Sequence, residues 1–269
     1  MNTTYPSPIA ESIELWRAKK ITGVNLMRSL ASYPEWRVGV SEAAAVDMMA
    51  HNDPPRLQIH TAPDGKKCLC FFSSSEAFDV YRKASHETGK KQHFLTVPGT
   101  WTFRLPMDGI EQIHIDPMSP YDIFYSQEHF TRLKEMADAV EMEDLLLRLR
   151  KGTAPDGALR KAKEYKNYYM AVYSHEGKPA FMMAPDSNGR TLAAVFTADD
   201  TFDAFKAQTE MSVGGMRVQT VAIQQMQMDG PALYDTLARM SIDGFVFNCF
   251  GPVTPVAFAK AVAGLMLEA

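Results

Sequence analysis

At 269 residues, 46% of them hydrophobic and 22% charged, the chain has room for one large domain or two ordinary ones, and its balance is that of a folded protein. A net charge of −4 excludes the broad basic footprint that nucleic-acid binding relies on. No apolar stretch approaches the ~20 residues needed to cross a bilayer, so no membrane partner is expected.

The N-terminal MNTTYPSPIAESIELW lacks a basic region followed by an apolar core, so the chain reads as cytoplasmic, without a secretory signal. Ser7-Pro8 suits an N-cap and first helical position, with Ile9, Ile13 and Trp16 following at helical spacing. A second short helix is expected over 24–32, closed by Tyr33-Pro34. Residues 1–35 thus form an N-terminal helical extension, whose only counterpart later in the chain is a linker helix.

The next stretch is written twice. Residues 68–83 read CLCFFSSSEAFDVYRK and residues 192–207 read LAAVFTADDTFDAFKA, an offset of 124 that puts Phe72 on Phe196, Phe78 on Phe202 and Asp79 on Asp203. Self-similarity of that length points to one supersecondary unit present twice. The first copy is placed at 36–150 and the second at 168–269, joined by a charged linker at 151–167. Each copy opens with a strand (37–41 and 170–174), and the first then carries an insertion at 42–55 whose AAAVDMMA core favours helix. Hairpins follow around Asp64-Gly65 and Asn188-Gly189, pairs that tolerate positive φ.

Each hairpin runs into a helix capped by Ser74 or Ser75 in one copy and Thr197 or Asp199 in the other. At the same offset a strand is expected at 94–97 and at 218–222, with Thr96-Val97 matching Thr220-Val221. A helix at 231–240, capped near Asp229-Gly230, has a shorter equivalent at 101–106. The match resumes at an offset of 132: strands at 113–115 and 245–247, then Asp116 against Asn248 and Pro120 against Pro252. Final helices are expected at 127–140 and 256–267, the latter opened by Thr254-Pro255. Residues 141–166 read as a solvated helix broken at 152–157. The fold class that follows is α/β (α+β): two tandem repeats, each a mixed sheet opened by a hairpin and covered by helices.

LAAVFTADDTFDAF, followed by a strand, a helix and IDGFVFN with Pro252 close behind, resembles the SseB-type (enhanced serine sensitivity) domain. Units of that family carry a hairpin, a VFTS-x-x-x-F-x-x-F corner and a later GLVVNP strand end. Residues 194–205 match the corner and 243–248 the strand end, although Cys249 stands where the family has proline. In the first copy FFSSSEAFDVY keeps the corner, and IHIDP keeps the proline as Pro117 with Asp116 in place of asparagine. The resemblance covers about 36–140 and 168–267. It implies a bacterial cytoplasmic domain, often in tandem, whose motifs are structural rather than catalytic; some members carry a type III secretion label.

Candidate ligand-binding residues are Asn248 and Asp116, at equivalent strand ends before a helix where free N–H groups attract anions, and Thr197 and Ser73, at the strand-to-helix corners. The competing reading gives all four to the backbone of their own turns and caps. Cys249, near a helix start, would need a base, and the second copy offers only His175, which no sequence cue pairs with it. The other histidines are His51, His60, His86, His93, His114 and His129. His60, Cys68 and Cys70 approach one another across the hairpin and invite a metal, but CxxC and HExxH are missing and Val246 replaces His114 in the second copy. Cys68 and Cys70 share a strand face and are poorly placed for a relaxed disulfide.

No GxGxxG, P-loop or GxSxG pattern occurs; SVGGM (212–216) offers a Gly-Gly turn alone. The 17 methionines suit core filling before a plastic interface. No catalytic residue, metal or cofactor is expected. The leading expectation is a non-catalytic binding or regulatory protein with a protein or small-ligand partner. An amino-acid or anion sensor or enzyme is the alternative, and a secretion-associated chaperone a third.

Overall fold

The computed structural model describes residues 9–40, 57–84, 93–175, 178–184, 186, 188–212 and 223–269. The Ser7-Pro8 cap, the 42–55 insertion, His51, His86, Glu176-Gly177, the 218–222 strand and most of SVGGM lie outside them. The chain divides into two compact units, Met1–Asp138 and Ala139–Ala269, and the boundary falls within one long helix.

In the first unit, helices α1 (Ala10–Arg17) and α2 (Gly23–Ser32) precede the sheet. Thr22 caps α2 in a capping box with Asn25. Strands β1 (Trp36–Val40), β2 (His60–Thr61), β3 (Lys67–Phe72), β4 (His93–Val97), β5 (Gln112–Ile115) and β6 (Ile123–Ser126) pair in the order β4-β1-β3-β5-β6, with β2 hairpinned onto β3. Only β3 and β5 run parallel; the other pairings are antiparallel. Helix α3 (Ser75–Ala84) follows β3 and a single turn, α4 (Gly99–Thr102), follows β4. The β2–β3 turn closes through Ala62 and Lys66, with Gly65 at φ 85 supplying the left-handed residue.

Both faces of this sheet are covered, which is why β3, KCLCFF, is apolar after its first residue instead of alternating. On one side Trp36 donates its indole N–H to Leu30 O at 3.0 Å and meets Phe103 edge-on, as Phe71 does. On the other, Cys68, Cys70 and Phe72 pack with Ala77, Phe78 and Tyr81 of α3.

The long helix α5 (Phe130–Lys151) is reached through a 3-10 turn at Gln127–His129. Its second half was expected to be a solvated face, yet Met142, Leu145 and Leu146 are buried in the core of the second unit. That unit continues with α6 (Ala158–Glu164), β7 (Tyr168–His175), β8 (Lys178–Phe181), β9 (Met183–Ala184), β10 (Leu192–Phe196), α7 (Asp199–Ser212), β11 (Gln224–Met228), α8 (Gly230–Arg239), β12 (Gly244–Phe247), β13 (Val256–Ala259) and α9 (Ala261–Glu268). Its sheet runs β11-β7-β10-β12-β13, with β10 and β12 parallel, the order and directions of the first sheet.

The edges of both sheets hold strands that the sequence left unread or assigned to helix. Gln224–Met228 pairs antiparallel with β7, and Met228 stands opposite Tyr168 as Val97 stands opposite Trp36. Residues 256–259 are an edge strand and not helix; α9 starts only at Ala261. Ile123–Ser126 is the corresponding edge strand in the first unit, unanticipated because four residues carry too little periodicity to be read.

One device fixes each helix to its sheet. Gly99 N–H donates to Tyr33 O at 2.7 Å, and Gly230 N–H donates to Tyr165 O at 2.8 Å. A Cβ at Gly99 would lie 2.3 Å from Leu30 O, and at Gly230 2.1 Å from Lys163 O. The aromatic at the head of each central strand completes the contact: Trp36 on Leu30 O in one unit, Tyr168 Oη on Ala162 O at 3.0 Å in the other. Helix α6, read in sequence as linker, thus holds β7 as α2 holds β1.

Candidate functional site

Parallel strands end side by side, so β3 and β5 deliver Ser73 and Asp116 to one end of the first sheet. Asp116 is fully buried at φ 45, a left-handed conformation that Asp tolerates better than most residues. Its N–H donates to Phe71 O, and its carboxylate accepts from Ser73 N–H at 2.7 Å and from Ser73 Oγ at 2.6 Å. Tyr33 Oη closes the loop by donating to Ser73 O at 2.6 Å.

The second unit builds the same latch from different atoms. Asn248, at φ 53, accepts from Thr197 N–H at 3.1 Å and donates Nδ2 to Thr197 Oγ1 at 2.9 Å. Thr197 Oγ1 donates onward to Glu143 Oε1 at 2.6 Å, and Tyr165 Oη donates to Thr197 O. The four residues singled out in sequence therefore meet as two buried pairs, one in each unit. Their polar atoms hold crossover ends together. Ser73 is not the cap of α3; Ser74 Oγ is, accepting from Ala77 N–H.

The chemistry gathers elsewhere. A cavity of about 590 Å³ opens on the first sheet's α3 face, between residues 58–63, Tyr81 and the 117–122 loop. Strand registry sets its floor. His60 faces Cys68 across β2 and β3, and His114 faces Cys70 across β3 and β5. Tyr81 Oη and His60 Nδ1 share a hydrogen bond of 3.0 Å. His114 Nε2 lies 3.0 Å from Gln112 Oε1, whose amide donates to Asp64 Oδ2 at 3.1 Å, while His114 Nδ1 lies 3.8 Å from Asp122. Asp122 is itself held by Met118 N–H. Phe124 stacks on His114 at 5.7 Å and remains 62% exposed.

These neighbours move protons. The Asp122 carboxylate raises the His114 pKa against the opposing effect of burial, with Cys68 and Asp64 adding smaller contributions. The Cys70 thiol and the His114 charge bring Cys68 down to about 7, against burial and the Asp64 charge. A group whose pKa is raised on folding stabilises the fold below its unfolded pKa, and that contribution is lost as pH rises through the folded value. His114→Gln is therefore expected to destabilise more at about pH 5.5 than at about pH 8.5, as urea midpoints at the two pH values would read.

In the second unit the corresponding positions are apolar. Leu192 and Ala194 replace the two cysteines, Val246 replaces His114, and Phe205, in place of Tyr81, stacks on Phe250 at 6.0 Å. Another concavity, about 720 Å³ along residues 149–160 and Ala269, brings in Asp156 and Arg160 as its ionisable side chains. Cys249 packs against the second unit's apolar cluster, and burial pushes its thiol up to about 12, the opposite of an activated nucleophile. Among the described residues no group of three His, Cys, Asp or Glu side chains is placed to hold a metal ion. His60, Cys68 and Cys70 do approach one another, as their spacing implied. Sequence reasoning missed Asp122 and Gln112, because the short strand that brings Asp122 back beside His114 left no readable pattern.

Residues 12–129 match the SseB protein N-terminal domain. The matched stretch takes in both the cavity and the Ser73–Asp116 latch. No curated protein sequence matches it. Two solved structures are similar at low levels. Anabaena Tic22 (protein transport) has 9% identity over 82% of this chain and 88% of its own, with a TM-score of 0.20. Tic22 from Plasmodium falciparum has 11% identity over 82% of this chain and 90% of its own, with a TM-score of 0.18. At such scores neither supports an argument about function. No helix among the described residues is long and apolar enough to cross a membrane.

Proposed function

We propose that this is a non-catalytic binding and regulatory protein of the SseB type, bacterial and cytoplasmic, made of two tandem copies of one domain. In this reading the first copy takes a small polar ligand in its cavity, and a protein partner reads the occupied state. One observation carries it. Equivalent positions in the two sheets hold Cys68, Cys70, Tyr81 and His114 in the first unit and Leu192, Ala194, Phe205 and Val246 in the second. Buried polar groups are costly unless they are hydrogen-bonded, so the first unit supplies partners for a polar cavity wall that the second unit is built without. When protonated, His114 presents with Asp122 a pair of opposite charges at the cavity wall, which suits an amino acid, with a carboxylate and an ammonium of its own, or a small anion set against His114 alone.

The test is a thermal-shift panel of serine, the other amino acids and inorganic anions. A ligand at a hundred times its dissociation constant stabilises by about 2.7 kcal/mol, which is a visible rise in Tm. The rise is expected to vanish in His114→Ala and to shrink in Tyr81→Phe. A panel with no shift at all would remove the small-ligand reading.

A further inference from the structure

We infer that Cys68 is a covalent modification site, whose sulfur adds to small uncharged α,β-unsaturated carbonyl compounds that enter the first unit's cavity. The reading does not depend on which reversible ligand the cavity takes. Cys68 lines a space of about 590 Å³, large enough for such a molecule, although the side chain itself is buried from bulk solvent. The cavity also supplies apolar contact from Ile59, Pro63 and Met118 for the carbon frame.

Every element packed against the sulfur bears on its charge. Cys70 lies two residues along β3, on the same face. His60 faces it from β2 with Tyr81 of α3 behind, and Gln112 and His114 lie on β5. Asp64, ion-paired with Lys66 in the hairpin turn, and Asp122 in the loop before β6 supply the negative charge. The Cys70 thiol and the His114 cation favour the thiolate, while burial and Asp64 oppose it, and the balance settles at about 7.

The addition balances without oxidant or leaving group. The thiol gives up its proton, and the sulfur lone pair forms a bond to the β-carbon. The alkene π pair moves toward the carbonyl as an enolate, and the α-carbon takes a proton, restoring the one the thiol lost. A cation such as His114 beside the developing enolate favours this step.

Native full-length protein treated with acrylamide and read by intact mass and peptide fragmentation tests the proposal. One fast adduct per chain is expected, at Cys68, with Cys249 unreacted. Its rate should rise through a midpoint near 7, and Cys68→Ser should abolish it. His114→Gln should move the midpoint up toward the ordinary thiol value of about 8.5. Should that variant fail to fold, the pH profile of the parent decides. A first adduct at Cys70 or Cys249, no Cys68 adduct until the protein is denatured, or a midpoint at the ordinary value would each overturn the inference.

Discussion

Gly230→Ala is expected to destabilise the second unit by about 3 kcal/mol, lowering its Tm by about 10 °C. The added Cβ would sit 2.1 Å from Lys163 O, 2.7 Å from Lys163 C and 2.9 Å from Ala162 O, all backbone atoms that no rotamer change can move aside. Relief would require α6 and α8 to separate, which breaks the Gly230 N–H bond to Tyr165 O and loosens Leu233, Tyr234 and Leu237 in the core. Gly99→Ala should act alike in the first unit, where the new atom meets Leu30 O at 2.3 Å and Ala31 O at 2.6 Å. Gly264→Ala is the internal control: it is helical with nothing within 4 Å of the new atom, so it should stabilise by about 0.5–1 kcal/mol. Thermal and urea melts of the three variants check the set. A Gly230→Ala protein melting within about 2 °C of the parent would mean the close approach is absent.

Asp116→Ala carries the second large effect, about 2–5 kcal/mol, the cost of leaving two buried donors without their acceptor. Two donors, Ser73 N–H and Ser73 Oγ–H, lose their acceptor at a site with no solvent access, and alanine is a poor occupant of φ 45. Asp116→Asn should cost far less, because Asn248 performs the same service for Thr197 in the second unit at φ 53. The order parent, then Asn, then Ala in urea midpoint is the expected result. Equal loss in both variants would argue that the charge, rather than the latch geometry, holds the crossover.

Both effects bear on function through position. The latch fixes the ends of β3 and β5, and those strands place Cys68, Cys70 and His114 on the cavity floor. A sheet that slipped by one residue would turn these side chains to the opposite face. Cavity chemistry and latch stability are thus properties of the same two strands.

What the sequence determined is local. The hairpin turns follow from Asp64-Gly65 and Asn188-Gly189, and the strand-to-helix corners follow from aromatic spacing after β3 and β10, because turn geometry and helical period are written within a few residues. The sharing of one strand face by Cys68 and Cys70 was legible for the same reason. Tertiary structure decided the rest. Gln224–Met228 is a strand because β7 offers it an edge. Val256–Ala259 extends for the same reason, against a reading of helix from Pro255 onward. Asp116 and Asn248 became latches only when parallel pairing set their strand ends beside Ser73 and Thr197. Asp122 met His114 only through an edge strand of four residues. The buried acceptors of Ser73 and Thr197 lie 43 and 51 residues away along the chain, so no local pattern can specify them; the folded sheet does.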